Sequence, residues 1–223
     1  MTDLEKFNNR MLSITDKLVE IVSSEAENYD LEEVINFAVY EDGCLPMIIK
    51  HRSGQSCPED TSDFLKTYQS LEKRIRGNVM TTITWDYYRN DNGLFMPMID
   101  ILLSKSMLTT IMIACDDDDK ILSGLRLSLK HEIGHVIDDI NIINDIPNIT
   151  PEKITDLHNE LTEKTNKHYE AYEKMLKKYN INKESKLALL LYYKIPEETV
   201  ANKNVGITFE KLWKASKMLG GRC

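Results

Sequence analysis

A chain of 223 residues with 42% hydrophobic content can bury one proper core, so it fits one domain with at most a small appendage. A formal charge of −8 excludes a nucleic-acid binder that works by phosphate neutralisation, and no basic stripe with interleaved aromatics offsets it. No run approaches the roughly eighteen apolar residues of a membrane span, and the acidic start Met1-Thr2-Asp3-Leu4-Glu5 lacks the apolar core of a secretory signal.

The first element is a helix over residues 3–27, with Leu4, Phe7, Met11, Ile14, Leu18 and Ile21 stepping by three and four. Such a stripe either docks on the body of the domain or forms a short coiled-coil dimer seam. Asp30 and Glu33 form a capping box for another short helix. Thr61 or Ser62 opens a helix carrying Phe64, Leu65, Tyr68, Leu71 and Ile75, stopped by Gly77. Residues 79–88, rich in Thr, Ile, Trp and Tyr, read as a strand, and Asn90-Asp91-Asn92-Gly93 as a turn. Residues 94–103 are the partner strand, with Pro97 marking an edge or bulge. Residues 109–114 are a further strand candidate.

The run Asp116 to Asp119 is a solvated helix start, with Asp118 or Asp119 as N-cap and the acids at the positive end of the helix dipole. Leu122, Leu125, Leu129, Ile133, Val136 and Ile140 give that helix a core face. A long helix follows, with Thr150 as N-cap and Pro151 at its first position, to about Tyr179. Leu157, Leu161, His168, Tyr172 and Met175 share one of its faces. Residues 184–193 form an apolar helix, Pro196 breaks or begins the next, and residues 208–219 form a terminal helix ended by Gly220-Gly221. The sum is a helix-rich α+β fold in one domain over 1–223. It has an N-terminal helix over 1–28, a small mixed sheet plus motif helix over 79–140, and a helical part over 150–223.

The chemistry sits in His131-Glu132-Ile133-Gly134-His135, an H-E-x-x-H motif. Residues four apart lie one above the other on a helix, so the two imidazoles can share one Zn²⁺ and the intervening carboxylate can reach a water on it. Ser128 and Gly124 continue the histidine stripe with small side chains. A sheet directly before the motif helix places an edge strand beside the metal, where a peptide can add as another strand. Cys44, Cys57, Cys115 and Cys223 are scattered without a C-x-x-C pair and read as free thiols in a reducing cytoplasm.

Catalytic zinc takes three protein ligands and leaves one position for water. The extended histidine motif is absent, because residue 141 is Asn141 and residue 138 is Asp138. Asp138 and Asp139 lie too far down the same helix to close a tetrahedron and fit as hydrogen-bond acceptors for a ligand histidine. Asp145, His158, His168, Glu197 and Glu198 stand as third-ligand candidates. Glu197 and Glu198 project about 100° apart on a helix, so only one of them can face the metal.

Glu198-Thr199-Val200-Ala201-Asn202 reads E-x-x-A-N. With H-E-x-G-H upstream, the chain resembles the gluzincin metallopeptidases, most of all the ImmA/IrrE-type peptidases of bacteria and phages. The resemblance implies a zincin-like fold with zinc ligands His131, His135 and Glu198, Glu132 as general base, and Asn202 supporting a histidine. The interval from His135 to Glu198 is longer than is usual in that family, Lys203-Asn204-Val205-Gly206 follows the second motif, and no helix-turn-helix signal precedes it. The expected function is a cytoplasmic zinc endopeptidase acting on a protein or peptide. The alternatives are a zinc-stabilised structural or interaction protein without turnover and an acidic inhibitor of phage type. Tyr192, Tyr193, His158 and His168 are candidates for a second electrophile.

Overall fold

The computed structural model describes residues 2–41, 71, 72, 75 and 78–218. The predicted helix opening at Thr61 or Ser62 and the Gly220-Gly221 stop lie outside them, except that Leu71, Glu72 and Ile75 are helical.

The N-terminal helix α1 (Asp3–Glu27) is closed by a capping box between Thr2 and Glu5. It is the docked alternative: Ile14, Leu18 and Val22 are buried in the domain's own core. Leu4 at the start of the stripe stays exposed. Arg10 pins the helix by donating from Nε to Asp118 Oδ1 and from its terminal nitrogens to the carbonyls of Met112 and Cys115. At the other end, fully buried Glu25 is met by Arg126 and Lys130. Removing one partner from such a buried group leaves uncompensated charge, so the contacts fix the docking angle.

No helix follows Asp30. The chain turns there with φ 55° and enters strand β1 (Ile35–Tyr40), which the capping-box pattern does not foretell. Asp30 uses its tolerance of the left-handed region in a turn instead of capping a helix. Strands β2 (Met80–Arg89) and β3 (Phe95–Ser104) flank the Asn90–Gly93 turn as expected. Asn90 Oδ1 accepts from the amides of Asn92 and Leu94, and Gly93 adopts φ 78°. The sheet order is β1-β3-β2, with β1 parallel and β2 antiparallel to β3.

β3 is therefore central, against the edge reading of Pro97. The proline is tolerated because it pairs with Tyr87 on one side, and the β1 register begins only at Ile99. The irregularity lies opposite, in β2 between Thr84 and Asp86. Residues 109–114 are not a strand. They belong to helix α2 (Lys105–Ala114), capped by the Ser104 hydroxyl. Their β-branched run is overridden because Leu108, Ile111 and Met112 fall at helical spacing and bury together.

The motif helix α3 (Asp118–Asn144) takes Asp117 as N-cap, one residue before the expected Asp118 or Asp119. Its Ile121, Leu125, Leu129, Ile133 and Val136 pack with Ile99, Ile101 and Leu103 of β3 and with α1 in one core. Tyr40, Ile75, Ile83 and Leu102 form a second cluster. Thr150 caps α4 (Pro151–Lys178), with Pro151 at its start. Then come α5 (Lys186–Tyr193), α6 (Pro196–Asn204) and α7 (Phe209–Met218); Pro196 opens α6. The result is the helix-rich α+β architecture with a helical C-terminal half. Among the described residues no helix is long and apolar enough to cross a membrane.

Candidate metal centre

The centre forms where α3 and α6 press together. Gly134 makes that approach possible: a Cβ there would stand 2.1 Å from the carbonyl oxygen of Ala201. Asn204 ties the same point by donating from Nδ2 to the Gly134 carbonyl, 3.1 Å. This contact brings fully buried Glu198 over the two histidines.

His131 Nε2 lies 2.8 Å from Glu198 Oε2 and 3.3 Å from His135 Nε2, and His135 Nε2 lies 3.7 Å from Glu198 Oε1. One ligand atom from each of the three residues can be chosen so that all lie within 4.8 Å of one another. A tetrahedral ion with bonds of about 2.0–2.2 Å requires donors about 3.3–3.6 Å apart, so the residues fit a small divalent cation. The two nitrogens and one oxygen are a zinc-type donor set. Glu198 Oε2 is buried without a hydrogen-bond donor aligned to it, as suits an oxygen whose lone pair serves a metal.

The ring orientation of His131 is fixed from behind. Its Nδ1 lies 3.1 Å from Asn202 Oδ1, and Asn202 Nδ2 donates to the Glu198 carbonyl at 2.6 Å. Asn202 is fully buried and holds the histidine and the carboxylate helix together. Without a cation the cluster is an ion pair. Burial disfavours the charged His131, but the Glu198 carboxylate beside it outweighs burial and raises the imidazole to about 9. Burial likewise opposes the Glu198 carboxylate, yet His131 brings it down to about 2.

Glu132 points toward the sheet. Its Oε2 accepts from the Thr82 amide at 2.9 Å and also from the Thr82 hydroxyl. Thr82 lies on β2, one of the two edge strands of the described sheet, so an edge strand stands beside the motif helix among the described residues. Asp138 and Asp139 are not joined to His131 or His135 by a hydrogen bond among the described residues. Asp139 accepts from the Thr84 hydroxyl at 3.1 Å, and burial raises its carboxyl. Burial and the Asp139 charge raise Asp138. The charge of His135 acts on both carboxyls, while the hydrogen bond to a motif histidine among the described residues comes from Asn202.

The rival ligands are engaged elsewhere. Glu197 takes His168 Nδ1 at 2.9 Å, His158 Nδ1 lies 3.1 Å from the Tyr87 hydroxyl, and Asp145 is the exposed C-cap of α3. Tyr193 donates to the Ile207 carbonyl. Tyr169, which the sequence pattern does not single out, donates its hydroxyl to Glu198 Oε1. Burial and then the Glu198 charge push its phenol well up, and the same causes act on Tyr192, whose ring lies 6.2 Å away. The signal for Tyr169 is faint: it adjoins His168, but nothing in its spacing predicts which way α4 turns. Thr82 and Thr84 carry a better one, since alternation puts both on one strand face.

Comparison with models of known protein families, with curated proteins and with solved structures finds no match to this chain.

Proposed function

We propose that the chain is a zinc-dependent endopeptidase of gluzincin type, with His131, His135 and Glu198 as ligands and Glu132 as general base. The observation that carries this reading is the convergence of Glu198, from a helix far along the chain, on the H-E-x-x-H pair, with Glu198 Oε2 left without a hydrogen-bond donor. A structural zinc site is closed by four protein donors. Here three converge among the described residues, and the nearby Glu132 is held on Thr82 as a separate carboxylate. That division of labour favours turnover over a purely structural ion.

A bound zinc supplies the positive charge that acidifies a water molecule and polarises a carbonyl. With Oε2 anchored by Thr82, Glu132 keeps Oε1 to take the proton from water and return it to the leaving amine. β2 offers its outer edge to an extended peptide, which lays the scissile bond beside α3. Of the four electrophile candidates, Tyr192 borders the centre through Glu198 and is the one placed to serve the oxygen that gains charge.

Metal analysis of the purified chain tests the centre. We expect about one zinc per chain, lost in the double variant His131→Ala/His135→Ala. Undiminished zinc in that variant overturns the assignment. Turnover is tested by trapping: immobilised Glu132→Gln retains a protein that the wild type cleaves.

A further inference from the structure

Helix α4 grips the two neighbouring carboxylates of α6 with two neighbouring residues: His168 meets Glu197 at 2.9 Å, and Tyr169 donates to Glu198 Oε1. The two oxygens of Glu198 thereby become unequal. Oε1 carries a phenol proton, while Oε2 has no hydrogen-bond donor and lies 2.8 Å from His131 Nε2. Glu198 is fully buried, so the protein and not solvent decides which oxygen is free.

We propose that Tyr169 makes Glu198 a one-oxygen ligand: its hydroxyl occupies Oε1 and offers only Oε2 to the cation. The consequence is coordination number. A carboxylate that gives both oxygens, together with two histidines and a water, raises the coordination number to five. One oxygen leaves the fourth position open. The inference rests on the reading of His131, His135 and Glu198 as a metal site. It also accounts for the long interval between the two motifs, because α4 lies in that interval and carries Tyr169 to the centre as a positioning residue. Tyr172 and Tyr192 line its approach, with ring centroids 6.0 Å apart.

The test needs no substrate. Metal-free full-length protein is loaded with Co²⁺, whose visible bands are intense in four-coordinate sites and weaken when a further donor joins. Zinc affinity is measured by competition with a chelating dye. The wild type is expected to give intense bands. Tyr169→Phe keeps the ring against Tyr192 and removes only the hydroxyl. It is expected to weaken the bands and lower zinc affinity about 10- to 100-fold.

Unchanged bands in Tyr169→Phe overturn the proposal, as do weak bands in the wild type, which requires no variant to fold. His168→Ala loosens the same helix at Glu197 and is expected to keep the wild-type spectrum. If it reproduces the Tyr169→Phe spectrum, the effect belongs to helix docking and the hydroxyl loses its role. A wild type that binds neither Co²⁺ nor Zn²⁺ sinks the metal site itself and this inference with it, a result distinct from a metal-binding wild type with an insensitive Tyr169→Phe.

Discussion

Gly134 and Ala201 are in backbone contact: a Cβ on the glycine would stand 2.1 Å from the alanine carbonyl oxygen and 2.7 Å from its carbonyl carbon. The obstacle is main chain and cannot rotate away. Gly134→Ala must therefore push α6 off α3, and it carries Glu198 and Asn202 with it. Overpacking of this kind costs about 1–3 kcal/mol, and more when backbone resists. We expect a lowered midpoint in denaturant and zinc affinity reduced beyond that of Ile133→Val, a volume-reducing change at the adjacent buried site. Wild-type zinc affinity in Gly134→Ala counts against the close contact.

Glu132→Gln is expected to keep the metal and lose the chemistry. The amide still accepts from Thr82 through its oxygen, so the side chain stays in place, but it cannot take a proton from water. Loss of one general base costs about 10²–10⁴ in rate. The check is cleavage of a trapped substrate at wild-type zinc content. Cleavage at the wild-type rate removes Glu132 from the mechanism.

The juxtaposition of His131 and His135 was legible because helical spacing is a local property: four residues fix their relation whatever surrounds them. The Asn90–Gly93 turn and the Thr150–Pro151 helix start were legible for the same reason. Residues 109–114 and β1 were not. Leu108, Ile111 and Met112 become a helical core stripe only once the sheet is present to receive them. The strand Ile35–Tyr40 owes its state to β3, its parallel partner, which lies far along the chain. Within the centre, Asn202 followed from its motif, whereas Thr82 and Tyr169 depend on how β2 and α4 lie against α3 and α6. No spacing in the chain encodes that.

The stability that the His131–Glu198 pair gives the metal-free protein is expected to be greatest in mildly acidic solution. His131 is raised from 6.5 to about 9 in the folded state, so its contribution is full below about 6.5 and is lost as pH climbs through 9. Glu198 is lowered from 4.5 to about 2, so its contribution is full above about 4.5 and is lost as pH falls through 2. Both shifts describe one interaction, fully present between about 4.5 and 6.5. Thermal midpoints of chelator-treated protein from about pH 4 to about pH 9 provide the check, with Glu198→Gln as reference. The wild-type advantage over that variant should shrink toward the alkaline end; an advantage that grows there contradicts the ion pair. A metal needs the neutral imidazole, so zinc should shift the balance the other way and bind more tightly as pH rises.

Glu197 and Glu198 offer the sharpest contrast. They are adjacent and chemically alike, yet Glu198 is fully buried over the histidines while Glu197 turns to His168. Glu198→Ala removes the oxygen donor and leaves His131 and His135 with two nitrogens, too few to hold zinc tightly. Glu197→Ala breaks a partly exposed pair whose worth is about 0–1 kcal/mol and leaves the three donors in place. Asn202→Ala falls between them. It frees the His131 ring without removing a ligand, which costs about 10- to 100-fold in affinity. Zinc competition across these three variants should therefore rank them Glu198→Ala weakest, Asn202→Ala intermediate and Glu197→Ala near wild type. A Glu197→Ala variant that loses zinc while Glu198→Ala retains it would reverse the assignment of the third ligand. It would leave the His131–His135 pair standing, because their spacing on α3 owes nothing to α6.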